Sequence, residues 1–152
     1  MIIWLTGQPG AGKSTISRAL NAALLARGYR VALIDGEDLR RETGNQDYST
    51  PGRIANVKAG QLRASELVAA GFIVVASFVS PNRAVRDEFK LHQRVLEVFL
   101  HTTRTSPKDA FQAVDYEPPL SNYVDVDTSA LNVDQSVELI LDAALRAPTL
   151  VE

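Results

Sequence analysis

The segment Gly7-Gln8-Pro9-Gly10-Ala11-Gly12-Lys13-Ser14-Thr15 constrains this chain more than any other. An apolar run, Ile2-Ile3-Trp4-Leu5-Thr6, precedes it, and Ile16, Ala19, Leu20 and Ala23 follow at helical spacing. Strand, glycine loop and helix in that order can cradle phosphate. The glycines let the backbone curl until successive N–H groups point at phosphate oxygens, and the helix adds its positive N-terminal end. The pattern G-x-x-x-x-G-K-[ST] recurs by chance in roughly one chain of this length in two hundred, and its flanking strand and helix make chance rarer. The competing reading is a glycine-rich turn with nothing bound. Gly7, Gly10, Ala11, Gly12, Lys13, Ser14 and Thr15 are the predicted nucleotide-binding residues. Lys13 would reach the β and γ phosphates of ATP, and the Ser14 hydroxyl would ligate Mg²⁺.

The rest of the chain continues the alternation. Apolar runs recur at Arg30–Ile34, Gly71–Phe78, Val95–Leu100 and Tyr123–Val126. Helix-period stretches lie between them, one closed by Gly28, one over residues 53–70 with Gly71 after it, and a last one carrying Val137, Ile140, Leu141, Ala144 and Leu145. Continuous apolar strands alternating with helices predict a parallel sheet covered on both faces: an α/β three-layer α/β/α sandwich of five strands, nucleotide-kinase-like. No composition shift or repeat marks a second domain. The least regular segment, Thr102–Ser121, holds three prolines and reads as a surface loop beside the site.

Composition narrows the function classes. The chain has 152 residues, 45% hydrophobic, with no cysteine and a net charge of −2 from 16 basic and 18 acidic side chains. A chain of this size buries roughly 68–70% of its unfolded surface and needs neither disulfide nor structural zinc. Without a basic block, a duplex nucleic-acid partner is not expected. No apolar run approaches the ~20 residues that span a bilayer, and residues 1–6 lack the features of a signal peptide. The chain therefore reads as cytoplasmic, with a small-molecule substrate and no membrane partner.

A second chemical signal is Asp35-Gly36-Glu37-Asp38-Leu39-Arg40, at the end of the second strand. Ligands bind beyond the carboxyl ends of parallel strands, which puts these side chains on the rim that carries the phosphate loop. A carboxylate there can take the proton of an attacking hydroxyl or hold a water on Mg²⁺, and Arg40 can clamp an anion. The alternative is an acidic first helical turn complementing the helix dipole.

The phosphate loop, the LIDGEDLR stretch at 33–40, Tyr48-Ser49, Arg53-Ile54-Ala55-Asn56-Val57 and Phe78-Val79-Ser80-Pro81-Asn82-Arg83-Ala84 together resemble the adenylylsulfate kinases in order and approximate spacing. The resemblance covers residues 1 to about 100 and returns weakly at Asp115–Pro118 and Val124–Thr128. It implies transfer of the γ-phosphoryl of Mg·ATP to the 3′-hydroxyl of adenylylsulfate. It makes Asp35 the general base and, with Lys13, the catalytic pair. It places Arg40, Arg53 and Asn56 on the acceptor nucleotide, with Tyr48 stacking on its adenine and Phe78, Val79 and Ser80 lining the same pocket. An adenine suits a flat π face and a phosphosulfate anion suits planar guanidinium donors. Bland readings stand beside these: Tyr48 as a half-exposed turn residue, Arg53 and Asn56 as helix openers, and Ser80-Pro81 as the cap of the next helix.

The chain departs from the family pattern in three places. The family's DGDN is DGED here, Pro51-Gly52 precedes Arg53 where the family shows Asp, and the basic lid between the fourth and fifth strands is shortened by roughly half, leaving Arg104 and Ser106-Pro107-Lys108 as echoes. These departures keep open a kinase with another acceptor, such as a different nucleotide, a sugar, an antibiotic or a modified base, and a low-turnover nucleotide-binding regulatory subunit. A homodimer in which a neighbour supplies basic groups is a further possibility. No N-K-x-D motif supports a guanine-nucleotide switch. His92 and His101 read as ordinary helix or strand-end residues, Trp4 as core, and Arg83 and Arg86 as a solvated helix face.

Overall fold

A computed structural model describes residues 1–146. The strands are β1 (Ile2–Thr6), β2 (Val31–Asp35), β3 (Ile73–Phe78), β4 (Val95–His101) and β5 (Tyr123–Asp127). The helices are α1 (Lys13–Ala26), α2 (Gly36–Thr43), α3 (Thr50–Ala69), α4 (Arg83–His92) and α5 (Val133–Arg146). The strands form one parallel sheet in the order β2-β3-β1-β4-β5. The central strand, β1, pairs with both β3 and β4, and all five of its residues are buried.

Alternation along β1 feeds two separate cores, which is why its sequence shows no polar face. Ile3 and Leu5 join Ile16, Leu20 and Leu24 of α1 and Val137, Ile140 and Leu141 of α5 on one side. Ile2 and Trp4 join Leu39 of α2, Val57 and Ala64 of α3, and Phe78 on the other. Each fully buried Leu or Ile contributes about 1.5–3 kcal/mol, so the two cores are the main source of stability.

The helix over 53–70 begins three residues earlier than its periodicity indicates. Ser49 caps α3 by accepting from the Gly52 amide, and Pro51 sits in the first turn, where a missing N–H costs nothing. The irregular segment after β4 contains a 3₁₀ turn at Pro107–Phe111, opened by Ser106 and Asp109, which cap each other reciprocally. Because all strands run the same way, Thr6, Asp35, Phe78, His101 and Asp127 end on one rim. No helix among the described residues is long and apolar enough to cross a membrane.

Candidate active site

The loop after β1 takes the conformation that its glycines permit. Gly7 lies at φ 155°, and a Cβ there would stand 2.3 Å from the Leu100 carbonyl oxygen of β4. Gly12 lies at φ 100°, in the left-handed region, and caps α1 without any side-chain acceptor. The first N–H groups of a 14-residue helix therefore face the loop uncapped. Thr128, just beyond β5, donates its hydroxyl to the Ala11 carbonyl at 2.8 Å and packs its methyl against Gly12. Ala11 is buried, whereas Thr15 is exposed on α1.

Lys13 is buried, and its Nζ donates to the Gly7 and Gln8 carbonyls at 2.8 and 2.9 Å. Burial and, secondarily, the nearby Lys108 ammonium lower its pKa to about 8. Its charge is thus held against its own desolvation, poised for an anion that would restore the balance. Ser14 Oγ lies 3.4 Å from Asp35 Oδ2. The other Asp35 oxygen, Oδ1, accepts the Glu37 and Asp38 amides at 3.0 and 3.1 Å as the N-cap of α2. The capping reading of the acidic stretch therefore holds: one oxygen caps α2 and fixes the rotamer, and the second faces the Ser14 hydroxyl of the phosphate loop. A hydroxyl and a carboxylate oxygen side by side are hard donors of the type that suits Mg²⁺.

On the far side of Asp35, α2 and the start of α3 form a second wall. Arg40 is buried; its Nη1 donates to the Asn45 side-chain oxygen and the Asp47 carbonyl at 3.1 and 3.0 Å, and its guanidinium lies 4.0 Å below the Tyr48 ring centroid. Arg40 therefore builds the 44–48 loop and supports Tyr48 from beneath. Tyr48 is exposed, with its hydroxyl donating to Glu37 Oε2 at 3.2 Å. Arg53 Nε donates to the Tyr48 carbonyl at 2.9 Å. Asn56 is buried and donates to the Gly36 carbonyl at 3.1 Å, while its Oδ1 is the one buried side-chain polar atom without a partner among the described residues. A small pocket opens between α3 and the turn after β3, lined by Arg53, Ile54, Val57, Ser80, Pro81, Asn82 and Val85.

The β3–α4 turn differs from the sequence expectation in three respects. Asn82, not Ser80, caps α4, accepting the Val85 amide at 3.1 Å. Ser80 adopts φ 42°, and its hydroxyl accepts from Trp4 Nε1 at 3.0 Å. Phe78 is buried and stacks on Trp4 with centroids 4.7 Å apart, so its ring belongs to the core beneath the pocket. The half-buried Val79 fastens the turn through its carbonyl, which accepts the Thr6 hydroxyl at 2.8 Å. Arg86 is likewise no solvated residue; it is buried against Glu97 of β4. His101 meets the Asp125 carboxylate at 3.0 Å across β4 and β5, a pairing that chain spacing does not reveal. Trp4 is core, as read.

Gln8 and Thr128 were not singled out by sequence reasoning. Gln8 sits at a position the loop pattern leaves free. Thr128 had only the weak signal of closing the Val124–Thr128 stretch of the resemblance.

A parallel sheet in this order, a glycine loop holding a buried lysine, and a carboxylate beside the loop's serine define a phosphate-loop kinase. Comparison with known proteins narrows the class. The family model described as adenylylsulphate kinase matches residues 1–113, and the chain belongs to that family. It is 32% identical to the adenylyl-sulfate kinase of Microcystis aeruginosa, across 89% of this chain and 86% of that protein. It is 33% identical to the one of Pseudomonas aeruginosa, across 92% and 83%. Among solved structures, the hexameric APS kinase of Thiobacillus denitrificans superposes with a TM-score of 0.77 at 28% identity, covering 95% of this chain and 29% of that one. The APS kinase of Mycobacterium tuberculosis, solved with AMPPNP and APS, shares the fold with a TM-score of 0.85 at 21% identity, covering 95% and 96%.

Proposed function

We propose that this protein transfers the γ-phosphoryl group of Mg·ATP to the 3′-hydroxyl of adenylylsulfate, giving 3′-phosphoadenylylsulfate and ADP. The observation that carries this reading is the Ser14–Asp35 juxtaposition at 3.4 Å in a chain of the adenylylsulphate kinase family. It sets a carboxylate oxygen next to the place where a γ-phosphate on the glycine loop would lie.

ATP phosphates rest on the loop amides and the N-terminus of α1, with Lys13 swinging from the Gly7 and Gln8 carbonyls to the β and γ oxygens. Ser14 would hold Mg²⁺, which supplies charge neutralisation on the phosphate oxygens. Asp35 Oδ2 accepts the proton as the acceptor oxygen attacks phosphorus, and its own capping bonds keep it aimed. The acceptor lies between Tyr48 and the pocket of Arg53 and Ser80, its adenine on the exposed Tyr48 ring and its anion toward Arg53. Arg40 adds positive charge from below, and the buried Asn56 Oδ1 lacks a partner. Catalysis is then positioning and charge stabilisation more than covalent chemistry.

A coupled ADP-release assay with Mg·ATP, run with and without adenylylsulfate, tests the assignment. Adenylylsulfate-dependent release with a 3′-phosphorylated product by mass is the expected result. Release that ignores adenylylsulfate and follows another hydroxyl acceptor would overturn it.

A further inference from the structure

Gln8 occupies one of the free positions of the phosphate loop, and its carboxamide closes a two-bond ring with the backbone of residue 113. Its Nε2 donates to the Ala113 carbonyl at 2.8 Å, and its Oε1 accepts the Ala113 amide at 2.8 Å. One side chain thus satisfies both backbone polar groups of a residue 105 positions away. Neighbouring contacts repeat the theme. Gln112 Nε2 donates to the Pro9 carbonyl at 3.0 Å, and a Cβ on Gly10 would stand 3.3 Å from Ser106. Ala113 is buried although Phe111, Gln112 and Val114 around it are exposed. The segment after β4 is therefore anchored to the phosphate loop itself, at the point where the nucleotide's terminal phosphate would sit.

We propose that Gln8 is a positioning residue that compensates for a short lid: by clasping residue 113 it holds the 106–113 segment over the phosphate loop and keeps water away from the γ-phosphoryl group. This rests on the kinase reading but not on the identity of the acceptor. In a phosphate-loop kinase, water is the standing competitor of the hydroxyl acceptor. Its oxygen can bond to the γ-phosphorus as the bond to the β–γ bridging oxygen breaks, releasing ADP, inorganic phosphate and a proton. Closed lids suppress this side reaction by excluding water. A lid too short to wrap the site needs a fixed point of attachment instead, and the Gln8 ring supplies one that is independent of the acceptor.

The test uses the full chain with Mg·ATP and no acceptor, comparing the native protein with Gln8→Ala and Gln8→Glu. The glutamate keeps the length and the acceptor but has no donor for the Ala113 carbonyl. Both variants should raise acceptor-free ADP release by at least about fivefold while the KM for ATP stays within about threefold. Hydrogen exchange at the Ala113 amide should quicken by about tenfold or more in Gln8→Ala, which removes its acceptor. Faster exchange with unchanged hydrolysis would overturn the proposal, as would unchanged exchange. A raised KM for ATP without extra hydrolysis would mark Gln8 as a structural part of the loop only. Should the Gln8 variants fail to fold, Ala113→Pro, which removes the amide that Gln8 Oε1 accepts, decides the matter by acceptor-free ADP release and by exchange at the neighbouring Gln112 amide. Because no acceptor is present, failure of the adenylylsulfate assignment leaves this result unaffected.

Discussion

Arg86 Nε lies 2.7 Å from Glu97 Oε2, with both side chains almost wholly buried between α4 and β4. The same guanidinium donates to the Ser80 carbonyl and to the Glu117 carbonyl, each at 2.6 Å, while Lys90 brings a second cation to Glu97 Oε1, 2.7 Å away, with Asp87 3.8 Å from that ammonium. This cluster ties the β3–α4 turn to the chain that returns toward β5 at Glu117. Removing Arg86 leaves the buried Glu97 with Lys90 as its remaining cation and takes a charged donor from the Ser80 and Glu117 carbonyls. Arg86→Met should therefore lower stability by about 3–5 kcal/mol, and adding Glu97→Met should recover much of the loss. Urea unfolding of the single and double variants checks this; a single variant within 1 kcal/mol of native, on the order of a surface mutation, would contradict it.

Asp35→Asn separates chemistry from structure at one position. Asparagine caps helices about as well as aspartate, so α2 and the fold should persist. The carboxamide cannot take the acceptor proton, so transfer should be lost while ATP affinity stays within a few-fold. Steady-state turnover and nucleotide titration provide the readout. Near-normal turnover would remove Asp35 from the role of base.

Arg53→Ala should raise the acceptor KM far more than the KM for ATP, because Arg53 lines the pocket by α3 and stands apart from the phosphate loop. Its bond to the Tyr48 carbonyl means that the stacking loop is also loosened on the acceptor side alone. Equal effects on both substrates would take Arg53 out of the acceptor site.

Lys13 gives the site a pH dependence. Burial lowers its pKa from 10.5 to about 8 in the folded chain. Between these values the unfolded chain binds the extra proton, so stability should rise with pH across that window. Nucleotide binding runs the other way, since a neutral amine attracts phosphate less. The apparent Kd for ATP should weaken as pH climbs through about 8, and Lys13→Met should flatten the profile. Titrations of native and variant protein between pH 6.5 and 9.5, roughly spanning the shifted value, would show a flat native profile if the charge is irrelevant.

Gly60 and Gly36 flank the Phe78 ring: a Cβ on Gly60 would fall 2.3 Å from its tip, and one on Gly36 would fall 2.9 Å from its edge. Alanine normally stabilises a helix interior by up to about 1 kcal/mol relative to glycine. At Gly60 the overpacking, typically about 1–3 kcal/mol, should reverse that sign. Thermal unfolding of Gly60→Ala, and of the same change with Phe78→Leu to make room, tests it. A stabilised single variant would show that the ring can move.

Much of the architecture is local and was therefore legible in the sequence. The apolar runs mark the strands, most plainly at β1 and β3, where cover on both faces leaves no polar alternation, and Gly28 and Gly71 mark helix ends because they supply positive φ. The phosphate loop is a contiguous stretch whose backbone conformation is written in its glycines, and Asp35 follows from its place at a strand end. The rest of the site depends on contacts between distant residues, for which spacing carries no signal. Arg86 has the pattern of a surface residue, and only Glu97 on a neighbouring strand makes its burial tolerable. Phe78 reads as a pocket residue until Trp4, Gly36 and Gly60 enclose its ring. Gln8 sits where the loop pattern accepts any residue, and gains a partner only when the segment after β4 folds back across the sheet. The sequence alone determined the elements and the phosphate-binding loop, because hydrophobic period and glycine conformation act over a few residues. The tertiary structure decided which charges are buried, which rings lie in the core and which residue of the 106–113 segment Gln8 holds, because those depend on which surfaces meet once the sheet has formed.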